Sequence, residues 1–362
     1  MKFIPTFVAL KAQKRQQGMI KNIIDPDSLE QLKKLMEGAT RVVITCHKKP
    51  DGDAIGSSLG LCLALRKMGK NVTVVIPDQL AQSLEFMAEG TDFVTFSFNE
   101  KRAGNIIRNT QLLFCLDYNT LDRVDKMKPL LANSKAPKVL IDHHLNPAQD
   151  FALMFSYPQL SSTCEVVYRI LREARLLDYV DEKVASLLFV GMMTDTGNLA
   201  WSSSYPEVYE IMARLMEYGI DKPYLYKQAM DTVPLNSLKL HSYALLNKLT
   251  IIDNNIALIT LDRNDLDTFN YKTGDTERLV NRPLSVKGVY WSTFMREDPD
   301  CIKVSMRSEG DFAVDTLCAT YFGGGGHKNA AAGEFYGTMD EAIEIFYKIV
   351  KEVSGEVRVK SS

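Results

Sequence analysis

The stretch RVVITCHKKPDGD, residues 41–53, joins a strand-like apolar run to a turn that is rich in metal-binding side chains. The run has the length of a buried strand, and a proline and a glycine then turn the chain into a helix that we expect to begin near Ala54. His47, Asp51 and Asp53 follow the run within the predicted loop. The loop can therefore point all three side chains at one centre.

Two further apolar runs also end in acidic residues. The run in LLFCLDYN ends at Asp117, and the run in KVLIDHH ends at the triplet Asp142, His143 and His144. Both runs resemble buried strands of a parallel sheet. Parallel strands bring their carboxyl ends to one edge of the sheet, where such side chains can converge and hold two divalent cations.

Asp195 lies on a predicted helix. In DEKVASLLFVGMMTDTG, residues 181–197, apolar residues recur at helical spacing and Asp195 continues their inward stripe. An ionised carboxylate on a buried face needs a partner, for which a metal ion is the obvious candidate. Any one of these residues alone could be a helix cap or a hydrogen-bonded structural residue. Four segments with the same property favour a shared metal site.

The ligand types narrow the choice of metal. Carboxylates and imidazoles without a thiolate argue against structural zinc and suit manganese, with magnesium, cobalt or iron as alternatives. The candidate ligands suffice for two ions that share one carboxylate, and they are His47, Asp51, Asp53, Asp117, His143 and Asp195. Two such ions would polarise a phosphoryl oxygen and lower the pKa of a bound water.

Six motifs in order resemble the DHH phosphoesterases, a family named for the triplet at residues 142–144. They are HKKPDGDAIGS (47–57), LDYN (116–119), IDHH (141–144), SSTCEVVY (161–168), GMMTDTG (191–197) and GGGGHKNAAAG (323–333). The last motif is similar to the DHHA1 domain that accompanies this family. The resemblance extends over nearly the whole chain.

The resemblance implies a role for each matching residue. The first manganese would be held by His47, Asp51 and Asp117, and the second by Asp53, Asp117, His143 and Asp195, with Asp117 bridging. As catalytic residues, His144 would contact the substrate phosphate or donate a proton, and Asp142 would orient its neighbours.

The C-terminal half contains a candidate substrate site. Arg307 can fork onto a phosphate or a base edge, and Ser308 can add a hydroxyl contact. Consecutive glycines allow phosphate oxygens to approach backbone N–H groups, although four glycines by themselves would equally suit a linker. The expected substrate-binding residues are Arg307, Ser308, Gly323, Gly324, Gly325, Gly326 and His327.

Strand-like runs alternate with helical stretches, which predicts an α/β fold with a mostly parallel five-stranded sheet flanked by helices. The expected strands are 41–46, 71–76, 92–96, 112–116 and 137–141. The expected order of domains is an extension over 1–25, a DHH domain over 26–230, a linker over 231–245, a smaller α/β DHHA1 domain over 246–355 and a tail over 356–362. The cleft between the domains would hold the substrate.

Helix caps and further strands complete the expected architecture. Asp25 should cap a first helix, and the pairs Ser162 with Glu165 and Thr338 with Glu341 read as capping boxes. The second domain should contain strands near 250–261, 286–293 and 301–306.

Composition restricts the class of protein. The 362 residues are 46% hydrophobic with a formal charge of −2, which excludes a polybasic binder and makes long duplexes unexpected substrates. Six cysteines without paired spacing suit a reduced cytoplasmic protein. No run reaches the ~20 apolar residues of a membrane span. The start MKFIPTFVAL lacks a signal-peptide cleavage site, and Met19 is an alternative start.

The resemblance is strongest to the oligoribonuclease and pAp phosphatase branch of the family. It implies manganese-dependent hydrolysis of short RNA (nanoRNA) to mononucleotides and of pAp to AMP. A phosphodiesterase for c-di-AMP or pApA is an alternative, and a non-catalytic nucleotide sensor is an alternative from another class. The GGGGH segment argues against an inorganic pyrophosphatase, and the length argues against a recombination exonuclease with extra domains. A homodimer is compatible with the resemblance.

Overall fold

The structure is a computed structural model that describes residues 20–353. The predicted tail, most of the predicted N-terminal extension and the alternative start at Met19 lie outside these residues. The chain divides into two compact units, Met1–Thr232 and Val233–Ser362. The boundary falls inside the stretch that was expected to be a linker, but most of that stretch is helical, because Leu235–Tyr243 forms an α-helix.

The first unit is built on six parallel strands, one more than expected. Strands β1 to β6 are Arg41–Thr45, Asn71–Ile76, Phe93–Thr95, Leu112–Leu116, Lys138–Asp142 and Leu153–Ser156. Their order across the sheet is β3-β2-β1-β4-β5-β6, and every neighbouring pair is parallel. The predicted α/β class is therefore confirmed. The additional strand β6 lies at the edge and has only four residues.

Helices cover both faces of this sheet. Helices α1 to α9 are Pro26–Glu37, Gly52–Lys67, Glu85–Ala88, Glu100–Arg108, Lys128–Ala132, Thr163–Glu173, Glu182–Asp195, Pro206–Met216 and Lys222–Tyr226. Short 3-10 turns lie at Gln82–Leu84, Phe96–Phe98, Leu121–Met127 and Leu177–Tyr179, and a π-helical turn lies at Lys227–Asp231. Helix α2 is buried on nearly all sides, including Asp53 in its first turn.

Glycines allow α2 and α7 to approach each other closely. Gly52, Gly56 and Gly60 are spaced four residues apart on α2 and all face α7. A Cβ atom at Gly56 would lie 2.5 Å from the carbonyl oxygen of Leu187. The helices cross in opposite directions, so the first turn of α2 meets the last turn of α7 near Thr194. The expected helix start near Ala54 was late by two residues, because Asp51 caps α2 at Gly52.

The expected helix caps have mixed outcomes. Asp25 caps α1 as expected, since its side chain accepts the N–H of Ser28. Ser162 caps α6, but the capping box is incomplete. The Glu165 carboxylate accepts the N–H of Ser161 at 3.0 Å instead of the N–H of Ser162. Glu165 therefore serves a different purpose, which is to pair with a buried arginine one turn later.

The second unit contains a mixed six-stranded sheet. Strands β7 to β12 are Leu249–Ile252, Ile256–Leu261, Trp291–Glu297, Ile302–Ser308, Gly325–His327 and Ala330–Phe335. Their order is β11-β12-β10-β9-β8-β7, and only β8 and β9 run parallel. Helices α10 to α13 are Leu235–Tyr243, Arg263–Thr268, Val314–Phe322 and Met339–Val353, with a π-helical turn at Ala244–Lys248 and a 3-10 turn at Leu279–Ser285.

Two predictions for the second unit have clear outcomes. Thr338 and Glu341 form the expected capping box, with each side chain accepting the backbone N–H of the other residue. The predicted glycine loop is partly wrong. Gly323 ends α12 in the left-handed conformation at φ 58°, but Gly325–His327 forms strand β11. No helix among residues 20–353 has the length and apolar character needed to span a bilayer.

Candidate metal centre

The sheet order creates a switch point at one edge of the first unit. The chain proceeds outward from β1 through β2 to β3 and then restarts at β4 on the other side of β1. Ligands of open α/β sheets bind at the carboxyl ends of strands where the order reverses. His47 follows β1, Asp117 follows β4, and the triplet from Asp142 to His144 begins at the last residue of β5.

The first group of possible ligands consists of His47, Asp51 and Asp117. The Nε2 atom of His47 lies 3.4 Å from Asp117 Oδ2 and 3.8 Å from Asp51 Oδ2. The other oxygen of Asp51 caps α2 by accepting the N–H groups of Asp53 and Ala54. The cap thus fixes the carboxylate in the orientation that faces His47.

The second group consists of Asp53, His143 and Asp195. The Nε2 atom of His143 lies 3.4 Å from Asp195 Oδ2, 3.7 Å from Asp117 Oδ1 and 3.9 Å from Asp53 Oδ2. Asp117 therefore faces both groups, with one oxygen towards each imidazole. The structure brings all six proposed ligands together, and a third possible group joins Asp117 with His143 and His144.

Backbone carbonyls orient both imidazoles. The Nδ1 atom of His47 lies 2.7 Å from the carbonyl oxygen of Lys48, and that of His143 lies 3.4 Å from the carbonyl oxygen of Leu160. A carbonyl oxygen only accepts hydrogen bonds, so Nδ1 of each ring donates to it, and Nε2 is the nitrogen that could bind a cation once it has lost its proton. This arrangement is typical of histidines that bind metals.

Full ionisation of its four acids would give the cluster more negative charge than its two imidazoles can neutralise. Burial raises the pKa of Asp53 well above its ordinary value, and the charges of Asp117 and Asp195 add to this. Burial likewise raises the pKa of Asp195, with further contributions from Asp51 and Asp117. Burial opposes a charge on His47, but Asp117 and Asp51 outweigh it and raise its pKa to about 10.

These residues fit a pair of divalent cations. Ligand atoms around one cation with bonds of about 2.0–2.2 Å are separated by distances similar to those between the imidazoles and carboxylates here. The donors are oxygens and imidazole nitrogens, which suit manganese, magnesium or related ions. Divalent cations would neutralise the negative charge of the ionised carboxylates.

Asp117 has a strained backbone. Its φ angle is 62°, in the left-handed region that few residues other than glycine adopt. Its N–H group donates to the carbonyl oxygen of Ile141, which holds the turn against β5. Strain of this kind concentrates at functional sites, where the surrounding structure maintains it.

Thr163 is a contact residue that sequence reasoning did not single out. Its backbone N–H donates to Asp53 Oδ2 at 2.6 Å, and its hydroxyl donates to Asp117 Oδ1 at 2.8 Å. The N–H of Cys164 donates to the other oxygen of Asp53 at 2.8 Å. The amino end of α6 therefore holds two of the proposed ligands. The sequence feature that could have indicated this contact is a threonine directly after the helix cap Ser162.

Replacing Thr163 with valine is expected to weaken metal binding without unfolding the protein. Valine keeps the shape and the backbone N–H group but removes the hydroxyl that orients Asp117. Loss of such an orienting hydrogen bond typically lowers metal affinity about 10- to 100-fold. Calorimetric titration of Mn²⁺ into the metal-free protein measures this change. Thr163→Ser keeps the hydroxyl and is the matched control; equal affinities for the two variants would refute the orienting role.

Asp142 and His144 form a pair beside the metal groups. The Nδ1 atom of His144 lies 2.8 Å from Asp142 Oδ1, and its backbone N–H donates to Asp142 Oδ2 at 3.1 Å. The carboxylate of Asp142 is fully buried and thus fixes the ring. The same Nδ1 atom is 3.8 Å from Asp117 Oδ1. The geometry suits the predicted roles, in which Asp142 orients His144.

In the second unit, Arg307 and His327 lie in one row of the sheet. Arg307 on β10 is opposite Ala330 on β12, and Ala330 is in turn opposite His327 on β11. Residues directly opposite each other in antiparallel strands point to the same face, so both side chains share a face. The Nη1 atom of Arg307 donates to the carbonyl oxygen of Met306 at 2.8 Å. Within residues 20–353, no carboxylate forms an ion pair with Arg307.

Ser308 departs from the expected arrangement. Side chains alternate along a strand, so Ser308 points away from the face that carries Arg307. It is buried, and its hydroxyl donates to the carbonyl oxygen of Phe312 at 2.6 Å. Gly325, Gly326 and His327 are exposed, and Gly324 is half-buried against β12.

Comparisons with known proteins match most of the chain. Residues 41–192 match the family described as "DHH family, N-terminal domain". Residues 254–354 match the "DHHA1 domain". The first range contains the strands and the helical turns that carry every proposed metal ligand except Asp195, which follows three residues later.

Relatives and a solved structure are similar over most of the length. A bifunctional oligoribonuclease and PAP phosphatase of Bacillus subtilis is 26% identical over 307 residues, which are 84% of this chain and 92% of the relative. A cyclic-di-AMP phosphodiesterase of the same organism is 26% identical over 86% of this chain, which spans 48% of that relative. A crystal structure of an exopolyphosphatase-related protein from Bacteroides fragilis is 37% identical, with a TM-score of 0.90 and coverage of 93% of this chain and 99% of that chain.

Proposed function

Because the chain belongs to the DHH phosphoesterases and carries a DHHA1 domain, we propose that it hydrolyses short oligoribonucleotides to mononucleotides and pAp to AMP with two manganese ions. The observation that carries this proposal is the cluster of four carboxylates and two imidazoles at the switch point of the parallel sheet. A curated relative that covers most of the chain has the same pair of activities in its name.

The proposed ligands divide the work between two positions. His47, Asp51 and Asp117 would hold one ion, and Asp53, Asp117, His143 and Asp195 would hold the other. When bound, such ions would neutralise negative charge on the phosphoryl oxygens and lower the pKa of a bound water. Thr163 keeps Asp117 and Asp53 in place through its hydroxyl and its N–H group.

The remaining residues act on the substrate in this proposal. Asp142 holds the ring of His144, whose imidazole contacts the phosphate or gives a proton to the leaving oxygen. Arg307 is half-buried and has no acidic partner among the described residues. Its guanidinium group is therefore available to bind an anion such as a phosphate. His327 shares its face of the sheet and adds a second polar group for the nucleotide phosphate.

A second candidate function is hydrolysis of c-di-AMP or its linear product pApA. The similarity to cyclic-di-AMP phosphodiesterases supports it, although the chain spans only about half of the length of those relatives. A larger share of the oligoribonuclease relatives is covered, which favours the first candidate. A cytoplasmic location and a homodimer stay predictions, and a non-catalytic sensor would retain nucleotide binding without turnover.

One assay distinguishes these functions. The purified protein with Mn²⁺ is offered pAp, di- to pentanucleotides, c-di-AMP, pApA and pyrophosphate in parallel reactions. We expect kcat/KM to be highest for pAp or short RNA. A preference for c-di-AMP or pApA would establish the second candidate, and the absence of any turnover with measurable nucleotide binding would establish the sensor.

Arg307→Ala is expected to raise KM for pAp about 10- to 100-fold, because a charge-assisted hydrogen bond contributes about 1.5–3 kcal/mol. Hydrolysis of bis-p-nitrophenyl phosphate, a minimal phosphoester, should change little. Steady-state kinetics on both substrates measures the difference. Arg263→Ala, which removes an exposed arginine from α11, is the control. An equal loss on both substrates would instead assign Arg307 to the chemical step.

A further inference from the structure

Trp201 is an exposed aromatic residue beside the metal centre with no role in the reaction described above. Its side chain is 52% exposed, whereas Trp291, the other tryptophan of the chain, is fully buried in the second unit. A large apolar ring in water next to a catalytic centre is a candidate for ligand binding. Sequence reasoning did not single out this residue.

A hydrogen bond ties Trp201 to a proposed metal ligand. Its indole Nε1 donates to the backbone carbonyl oxygen of Asp195 at 2.7 Å. The carboxylate of the same aspartate lies 3.4 Å from His143 Nε2, within the second ligand group. The ring is therefore adjacent to the residue that would hold one of the two ions.

Gly197 supports the ring from the protein side. A Cβ atom at Gly197 would overlap the six-membered ring of Trp201, so the glycine backbone lies directly against it. The φ angle of Gly197 is 55°, which also favours glycine. The hydrogen bond and this contact hold the indole in one orientation, while the rest of its surface stays in water. A ring fixed in this way loses little conformational entropy when a ligand stacks on it.

We propose that Trp201 is the stacking platform for the base of the nucleotide whose phosphate lies at the metal centre. The inference rests on the proposed function. A base is separated from its own phosphate by one sugar, so a base near Trp201 suits a phosphate at the ligand group that contains Asp195, to whose backbone Trp201 is hydrogen-bonded. Every base has a π face, so the platform accepts different bases. A substrate without a base, such as pyrophosphate, gains nothing from it.

Tryptophan fluorescence tests the contact directly. Trp201 is the exposed tryptophan, so AMP binding should quench the emission of the wild-type protein in the presence of Mg²⁺, and ribose 5-phosphate should not. Trp201→Phe should abolish the AMP-dependent change, and Trp291→Phe should retain it. AMP is a product, so it is not turned over during the titration. Mg²⁺ is not paramagnetic, so the metal itself does not quench the fluorescence.

Kinetics separates stacking from a structural role. Trp201→Ala should raise KM for pAp about 5- to 150-fold, the range of one base–aromatic stack, while its Mn²⁺ affinity stays within about twofold of wild type. Trp201→Phe keeps a ring but loses the N–H group, and should recover most of the loss. Tyr209→Ala removes an aromatic residue of similar exposure from α8 and should leave KM unchanged.

The outcomes distinguish this proposal from the proposed function. If Trp201→Ala hydrolyses pAp with wild-type KM, the platform is refuted although the enzyme remains a pAp phosphatase. If both variants at position 201 lose Mn²⁺ affinity equally, Trp201 merely clamps the turn after α7 and the platform is likewise refuted. If the wild-type protein hydrolyses no nucleotide, the proposed function itself fails.

Discussion

Asp117→Asn is expected to lower kcat/KM for pAp by about 10³-fold or more while the protein stays folded. Asp117 faces both ligand groups, so the loss of its charge affects both proposed cation positions. A 10³-fold loss of kcat/KM corresponds to about 4 kcal/mol of lost transition-state stabilisation, because each 1.36 kcal/mol changes the rate tenfold. Metal ions typically supply several kcal/mol of this stabilisation. Asparagine is the sharpest replacement because it is nearly isosteric and tolerates the left-handed backbone at this position better than alanine does.

The measurement is steady-state turnover with a parallel Mn²⁺ titration and a thermal melt. The melting temperature should change little, and the number of bound ions should fall below that of the wild type. Asp122→Asn is the control, because Asp122 is an exposed aspartate that pairs with Lys128. Turnover within tenfold of wild type would contradict a bridging role for Asp117.

Arg169→Met is expected to lower the free energy of unfolding by about 3–5 kcal/mol, the typical effect of removing one partner of a buried ion pair. Arg169 and Glu165 are both buried, and the arginine donates to the carboxylate at 2.9 Å and 2.8 Å. The carboxylate also accepts from Ser161 and from the hydroxyl of Tyr205. Methionine fills much of the volume but leaves the charge of Glu165 without a cationic partner.

Urea unfolding measures this loss. Arg214→Met removes two ion pairs near the surface, with Glu210 and Glu217, and should cost no more than about 1 kcal/mol. Combining Arg169→Met with Glu165→Gln should recover part of the loss, because the orphaned charge is then absent and the amide can still accept from Ser161. A loss below about 1 kcal/mol for Arg169→Met alone would show that the pair is not a stabilising contact.

Continuous apolar runs made the central strands predictable. The expected strands 71–76 and 112–116 coincide with β2 and β4, because both are buried along most or all of their length. Strand β6 was missed because it has four residues and only two of them are buried. Strand β11 was read as a loop because glycines have no side chains to form a pattern, and its pairing with β12 depends on backbone hydrogen bonds.

The proposed metal ligands could be predicted from the sequence because each one follows a strand or continues a helical stripe. The contacts that hold them could not be found in this way. Thr163 lies 110 residues from Asp53 and 46 from Asp117, so no local pattern connects them. The predicted capping box was half right: Ser162 caps α6, but the carboxylate of Glu165 accepts from Ser161 and from Arg169 one turn later. The exposure of Trp201 likewise depends on how the chain turns after α7.

The glycines of α2 have a consequence for the proposed cation sites. Asp53 and Asp195 lie at the facing ends of α2 and α7, and the main chain at Gly56 packs against main-chain atoms of Leu187 and Gly191, which limits how near the two helices come. Main-chain packing does not depend on which rotamers the ligand side chains adopt. The backbone spacing of the two acids is thus set before any ion binds, and we expect cation binding to require little rearrangement of the scaffold.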